Sequence, residues 1–536
     1  MKQISPQALR AMISDGDELG LFDMREEGVF AHRHLLFACC LPLSHLEQKI
    51  GALAPRKSAR IVLVDAGPGV NRGESLAARA GARLEDMGYS DLAVLEGGIE
   101  AWGQAGFELF SGVNVPSKAF GELVEHDDGT PHISAEELKA LLDNGDAPLI
   151  LDSRPYREYH RMNIPGGIDT PGAELVYRFG DLAPDPERLV VVNCAGRTRS
   201  IIGAQSLINA GVPNRVVALK DGTMGWELAG FELDHGSEQS APAPSPPALA
   251  GAKVRAAQVA KRFGVQTITR DSLDAWRGEA GERSLFVLDV RSPEEFEAGH
   301  LPGSRSAPGG QLVQATDEYV GVRNARIVLV DNDGVRATMT ASWLIQLGWE
   351  DVAVLEGGLA GGTLETGPEQ LADAGHVPAR ANFISPAELR IALRGGTCAL
   401  VDFATSLEYR AAHIPDAWFA VRARLPEDAE ALPDAAFLVA TSPDGGFAEL
   451  AAGDLADATG KEVKVLEGGT QAWLAAGFDL TDGFENMASQ NDDVWYKPYD
   501  HDGEVVAEHM REYLTWEVGL VEQIARDGTA RFRRFD

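Results

Sequence analysis

VLEGGIEAW at 94–102 returns as ALKDGTMGW at 218–226, VLEGGLAGG at 354–362 and VLEGGTQAW at 465–473. In each copy a short apolar run meets a glycine turn, the pattern of a buried strand feeding a tight turn and a helix. Working upstream, a second string precedes every copy: LFDMREEGVF (21–30), LILDSRPYREY (149–159), LFVLDVRSPEEF (285–296) and LVDFATSLEY (400–409). Apolar residues run up to an Asp, and a polar helix start follows. A third apolar run lies between the two: RIVLVD (60–65), RLVVVNC (188–194), RIVLVD (326–331) and AFLVAT (436–441). The spacing is 42 residues from Asp23 to Asp65, from Asp152 to Cys194 and from Asp289 to Asp331, and 39 from Asp402 to Thr441. Four ordered copies of a three-part pattern mark tandem repeats of one unit. Strands alternating with helices predict an α/β fold, each unit a central parallel sheet flanked by helices.

The chain of 536 residues is too long for one core, at roughly 100–200 residues per domain. The repeats place modules at 1–112, 131–235, 253–362 and 380–482, with an extension at 485–536. The segment GSEQSAPAPSPPALAGA (236–252) reads as an extended, exposed linker, and 362–381 as a second. In the extension, GEVVAEHMREYLTWEVGLVEQIARDG predicts a helix with Val506, Met510, Tyr513, Leu514, Leu520, Val521 and Ile524 on one face. It is expected to dock on a module or on a second subunit.

A net charge of -33, from 48 Lys+Arg against 81 Asp+Glu, excludes nucleic acid and anionic membrane as expected partners. No stretch approaches the roughly 18 apolar residues of a membrane span. The N-terminus reads as a short amphipathic helix without an apolar signal core, which predicts a cytoplasmic protein. Cys39, Cys40, Cys194 and Cys398 are sparse and suggest reduced thiols rather than a disulfide framework. No His/Cys spacing suggests a zinc site, and no cofactor or metal is expected.

Of the four strand ends only that of the second module carries a cysteine. Cys194-Ala195-Gly196-Arg197-Thr198-Arg199 is followed by Ser200 and a helical stretch. A helix N-terminus with nearby arginines favours a thiolate, and backbone N–H groups rolled around it form a nest for an anion. The plain alternative is a buried core cysteine, which is the reading given to Cys39, Cys40 and Cys398. The first module has Asp65 at the strand end, followed by AGPGVNRGES; the third has Asp331 and the fourth Thr441. Neither a carboxylate nor a threonine hydroxyl offers a thiolate nucleophile.

The Asp-x-Arg start, the GHLPGS turn at 299–304, the strand ending in a loop and the LEGG close together resemble the rhodanese superfamily of sulfurtransferases. The resemblance covers about 1–480. It implies that Cys194 is the nucleophile that takes a sulfane sulfur from a donor, holds it as a persulfide and passes it to an acceptor. It also implies that Arg197 and Arg199 neutralise an anionic donor, and that Ala195, Gly196, Thr198 and Ser200 supply backbone or hydroxyl donors. The Cys-x4-Arg spacing matches a sulfurtransferase loop and argues against the wider Cys-x5-Arg loop of phosphatases. Two arginines favour thiosulfate over mercaptopyruvate, with cyanide, a small thiol or a protein as acceptor. A non-enzymatic persulfide carrier or interaction scaffold is the competing reading. Module two departs from the family pattern at Asn163, where a His is usual, and at Lys220-Asp221 in place of Glu-Gly. Asp152 and Arg154 read as scaffold, and Arg178 in the insert 171–182 as solvated surface.

Overall fold

Each apolar run of the repeat becomes a parallel strand with both faces covered, as near-continuous Val/Ile/Leu stretches require. The computed structural model describes residues 1–67, 74–146, 148–369, 382–503 and 505–535. The glycine-rich positions 68–73 of module one and 370–381 of the second linker lie outside the described residues. In module two the strands are ordered His132–Ile133, Val216–Leu219, Val190–Asn193, Leu149–Asp152, Ile168–Asp169, all parallel. Modules three and four repeat this order. Module one does too, and adds an antiparallel strand from module three: Val322 pairs with Gly20 and Arg323 with Leu19. One apolar core then runs through both modules, from Leu63 and Leu84 to Leu329 and Leu344.

Strand register corrects the assignment in module four. Asp152 pairs with Asn193, Asp289 with Val330 and Asp402 with Thr441. Thr441 is therefore the counterpart of Asn193, one residue short of the cysteine position. Ser442 occupies that position. Its carbonyl accepts the Thr470 N–H just as the Cys194 carbonyl accepts the Thr223 N–H. The module is shorter between these strands than its siblings, so counting from Asp402 to the end of the apolar run stops one residue early.

The 236–252 segment is extended only in its first half. Ser245 caps a helix, Pro246–Phe263, with Pro at its first turn and Gly264 in the left-handed conformation at its end. Alanines at 248, 250, 252, 256 and 257 make this a helix rather than a linker, and Ala252, Ala256, Val259 and Phe263 are buried in the module-two core. Even the extended half is held: Ser240 pairs with Asp169 as an isolated β-bridge, and Ala241 is buried.

Two helices outside the repeat position the site. A connector helix, Val115–Asp128, joins modules one and two, and the C-terminal helix spans Val505–Asp527. Met510, Leu520 and Ile524 are buried as the apolar stripe predicts, and Leu520 and Ile524 pack on Phe110, Val115 and Ala119. Among the described residues no helix is long and apolar enough to cross a membrane.

Candidate active site

Cys194 stands at the carboxyl end of Val190–Asn193, directly before the helix Thr198–Asn209. Ser200 Oγ donates a hydrogen bond to Cys194 Sγ at 3.0 Å. The turn that follows the last long strand closes against the loop. Gly222 has φ +56°, and a β-carbon there would sit 2.3 Å from the Cys194 carbonyl oxygen and 2.7 Å from that of Gly196. Only glycine permits that approach, which is the physical content of the recurring second Gly. Thr223 N–H then bonds the Cys194 carbonyl at 2.8 Å and Met224 N–H the Ala195 carbonyl at 3.0 Å.

The two arginines have different surroundings. Arg197 lies in a cluster of carboxylates: its Nε donates to Glu122 at 2.7 Å, one terminal nitrogen to Asp221 at 3.0 Å, and the other to Glu122 and Glu125. This corrects the expectation that Arg197 offers a free charge to a donor. Asp221, the departure from Glu-Gly in the closing motif, adopts φ 61° and supplies one of these partners. Arg197 thereby ties the loop to the connector helix. Arg199 makes a bidentate pair with Glu158, both contacts at 2.9 Å, and reaches Gln311 of module three at 3.4 Å. Burial works against the ionised Glu158, but Arg199, then Arg154 and Lys497, outweigh it and hold the carboxyl at about 2. A cavity of about 30 Å³, room for one water, reaches Arg199 between Gly172 of module two and Gly310 of module three.

Asp152 and Arg154 are the scaffold pair expected. Arg154 binds the Asp152 carboxylate through Nε at 2.9 Å and a terminal nitrogen at 2.7 Å, and reaches back to the Met162 carbonyl. Asp23–Arg25 and Asp289–Arg291 repeat the pair in modules one and three. Arg178 is partly buried rather than solvated; it pairs with Glu174 and the Ala241 carbonyl, away from the loop.

The site is covered, and by residues that sequence reasoning passed over as functional. A β-carbon on Gly196 would lie 3.2 Å from Tyr513 Cε1, 3.2 Å from Glu517 Oε2 and 3.8 Å from Leu514 Cδ2. Thr198 Oγ1 donates to Glu517 Oε1 at 3.4 Å, and Tyr499 OH bonds Thr223 Oγ1 at 3.1 Å. Lys118 of the connector helix is buried under Trp495, Tyr513 and Trp516, its Nζ 4.7–5.1 Å from the three ring centroids. Cys194 is only 2% exposed as a result. Burial pushes its thiol up; Arg199 and the Ser200 hydroxyl pull the other way, and Glu517 adds to the rise. The expected lowering by the helix terminus and arginines is therefore outweighed while the C-terminal helix sits on the loop. The remaining cysteines are buried or half-buried, and burial raises the thiols of Cys39, Cys40 and Cys398 against the weaker opposing charges of Arg323, Lys49 and Lys464 respectively.

The silent modules fill the same position with their own side chains. Asp331 accepts N–H bonds from Asp333 at 3.1 Å, Gly334 at 2.5 Å and Ala337 at 3.0 Å. Asp65 accepts from Gly67 and Ala77, and Ser442 Oγ from the Ala448 N–H. In module two the Ser200 N–H and hydroxyl face the sulfur of Cys194 instead. The nest is thus common to the repeat, and in one module its occupant is a thiol.

The profile of the Rhodanese-like domain matches residues 5–105, 134–229, 269–364 and 385–476. The chain belongs to the rhodanese-like domain family. The crystal structure of a thiosulfate sulfurtransferase from Pseudomonas aeruginosa is 48% identical to it, covers all of both chains and superposes with a TM-score of 0.94. Shorter curated relatives include an HTH-type transcriptional regulator of Mycobacterium tuberculosis, 34% identical over 111 residues, or 20% of this chain and 48% of the regulator. A thiosulfate sulfurtransferase GlpE of Pseudoalteromonas translucida is 29% identical over 77 residues, 14% of this chain and 71% of its own length. The chain thus spans about half the length of the first of these relatives. Module two differs from the other three rhodanese-like modules at the strand end that carries chemistry, while their sheets share one order.

Proposed function

We propose that this rhodanese-like chain is a sulfurtransferase with one working module. The Cys194 thiolate attacks the outer sulfur of a small anionic donor, for which thiosulfate is the first choice. The bond between that sulfur and the sulfonate sulfur breaks, sulfite leaves with the electron pair, and Cys194 becomes a persulfide. An acceptor, cyanide or a thiol, then attacks the sulfane sulfur, and Cys194 departs as the thiolate. Covalent catalysis of this kind divides one transfer into two displacements with ping-pong kinetics.

The observation that carries this reading is the contrast between Cys194 and Asp331. Both occupy the same helix-start nest, and only Cys194 leaves it a sulfur nucleophile with Ser200 as hydrogen-bond donor. The full-length likeness to a structure described as a thiosulfate sulfurtransferase supports the choice of donor. Arg199 supplies positive charge at the helix start, and the N–H groups of Gly196, Thr198 and Ser200 supply dipoles. Of the two arginines, Arg197 is bound by three carboxylates, Glu122, Glu125 and Asp221, and Arg199 by one, Glu158, so Arg199 is the one with positive charge left for a donor. The free thiols fit a reducing, cytoplasmic setting.

The burial of Cys194 favours one second reading, a carrier that keeps its persulfide from solvent and hands it to a single protein partner. Steady-state turnover with thiosulfate and with mercaptopyruvate, using cyanide and dithiothreitol as acceptors, separates the two. An enzyme turns over small donors and acceptors; a carrier loads once and stops.

A further inference from the structure

Glu517 is a carboxylate in the wrong place for a structural residue. It interrupts the apolar stripe of the C-terminal helix, four residues after Tyr513 and three before Leu520, and it is 1% exposed. Oε1 accepts the Tyr513 hydroxyl at 2.9 Å and the Thr198 hydroxyl at 3.4 Å. Oε2 has no hydrogen-bond partner among the described residues and lies 3.2 Å from where a β-carbon on Gly196 would stand. A buried, unpaired carboxylate oxygen costs free energy, and here it faces the loop that holds the sulfur. The charged and titratable groups around it are Lys118 and Glu122 of the connector helix, Arg197, Arg199 and Cys194 of module two, and Tyr513 on its own helix. Burial raises its carboxyl, and Lys118 provides the strongest opposing charge.

We propose that Glu517 is the catalytic base for thiol acceptors, its free Oε2 taking the proton of an incoming R–SH at the Cys194 loop. The inference rests on the sulfurtransferase reading. The acceptor sulfur attacks the sulfane sulfur of the Cys194 persulfide while its proton passes to Oε2. The bond between Cys194 Sγ and the sulfane sulfur breaks, and its electron pair stays on Sγ. Glu517 then returns the proton to the departing Cys194 thiolate, so that R–SH and the enzyme persulfide give R–S–SH and the enzyme thiol. Lys118 is the opposing charge that favours the ionised carboxyl a base requires, against the rise that burial causes. Cyanide carries no proton when it attacks as the anion, so the base serves thiols and not cyanide. The specificity inferred is for protonated thiols that reach the Cys194 loop beside Glu517.

The test compares acceptors. Wild type and Glu517→Gln are first loaded with thiosulfate, and the mass of one sulfur on Cys194 is verified. The persulfide is then discharged with dithiothreitol or with cyanide in single turnover. The ratio of thiol rate to cyanide rate falls on the order of 100-fold in the variant if Glu517 is the base. An unchanged ratio, whatever the absolute rates, overturns the proposal. Wild type gives an independent reading that does not depend on the variant folding. With thiols of pKa about 7 to 10, discharge at neutral pH stays nearly level if a base removes the proton. Rates strictly proportional to each thiol's ionised fraction overturn it as well. A wild-type protein that gains no sulfur on Cys194 overturns instead the reading on which this one rests.

Discussion

Ser200 Oγ stands 3.0 Å from Cys194 Sγ, donates a hydrogen bond to it, and is itself fully buried. With the C-terminal helix closed over the loop, this bond and Arg199 are what oppose the effect of burial on the thiol. Ser200→Ala removes one donor to the charged form and so raises the thiol further. Alkylation by iodoacetamide should become half-maximal at a higher pH than in wild type. The donor half-reaction at neutral pH should fall about 5–10-fold, the equivalent of about 1 kcal/mol. Alkylation rate against pH, followed by peptide mass at Cys194, reads the shift.

Glu517 acts on the same thiol with the opposite sign. Its carboxylate raises the Cys194 thiol, so Glu517→Gln should lower the pH at which alkylation is half-maximal. Because the folded thiol is raised, the ionised fraction is gained as pH climbs through and above the ordinary thiol range near about 8.5, and the variant brings that gain to lower pH. The same alkylation profile checks it, now expected to move down rather than up.

The two loop arginines should separate by phenotype. Arg199→Ala weakens the thiosulfate half-reaction on the order of 10–100-fold through loss of a charge-assisted contact, with a smaller effect on discharge to cyanide. Arg197→Ala instead leaves Glu122, Glu125 and Asp221 together without their cation. That costs stability, about 3 kcal/mol for a broken buried pair. Stopped-flow loading and urea midpoints, measured on both variants, distinguish a binding arginine from a clamp.

Placing a thiol in module three should not create a second site. In Asp331→Cys on a Cys194→Ser background, the nest regains free N–H groups, but Arg336, the counterpart of Arg199, faces two carboxylates where Arg199 faces only Glu158. Arg336 is fully buried, bridges Glu174 of module two and Glu295 of module three, and lies over the Tyr177 ring at 4.4 Å. Thiosulfate turnover should stay at background. A rate near wild type would mean that the degeneracy is one residue deep.

The fold was legible because its signal is repetition. Four Asp-ended strands, four third strands and four glycine turns set the sheets and the helices between them, and Cys194 was the one thiol where a third strand ends. What escaped lies outside the repeat or depends on register. Thr441 stood in for Ser442 because module four is shorter between its strands, and pairing rather than apolar run length sets the position. The Pro246–Phe263 helix was hidden by its prolines, which sit in the first turn where they start a helix. The role of Arg197 is settled by Glu122 and Glu125, 75 and 72 residues away in sequence, and no local motif reports such a pairing. The cover over Cys194 had one visible signal, a Glu at position 517 in the middle of an apolar helix face, where a buried charge needs a reason.

The central claim is that Cys194 alone carries sulfur. Incubating the protein with thiosulfate, removing the donor and recording the intact mass and the Cys194 peptide tests it most directly. The account predicts a gain of one sulfur atom on Cys194 in wild type, its disappearance on adding cyanide with release of thiocyanate, and no gain in a folded Cys194→Ser protein. Sulfur on Cys39, Cys40 or Cys398, or turnover that survives Cys194→Ser, would contradict it.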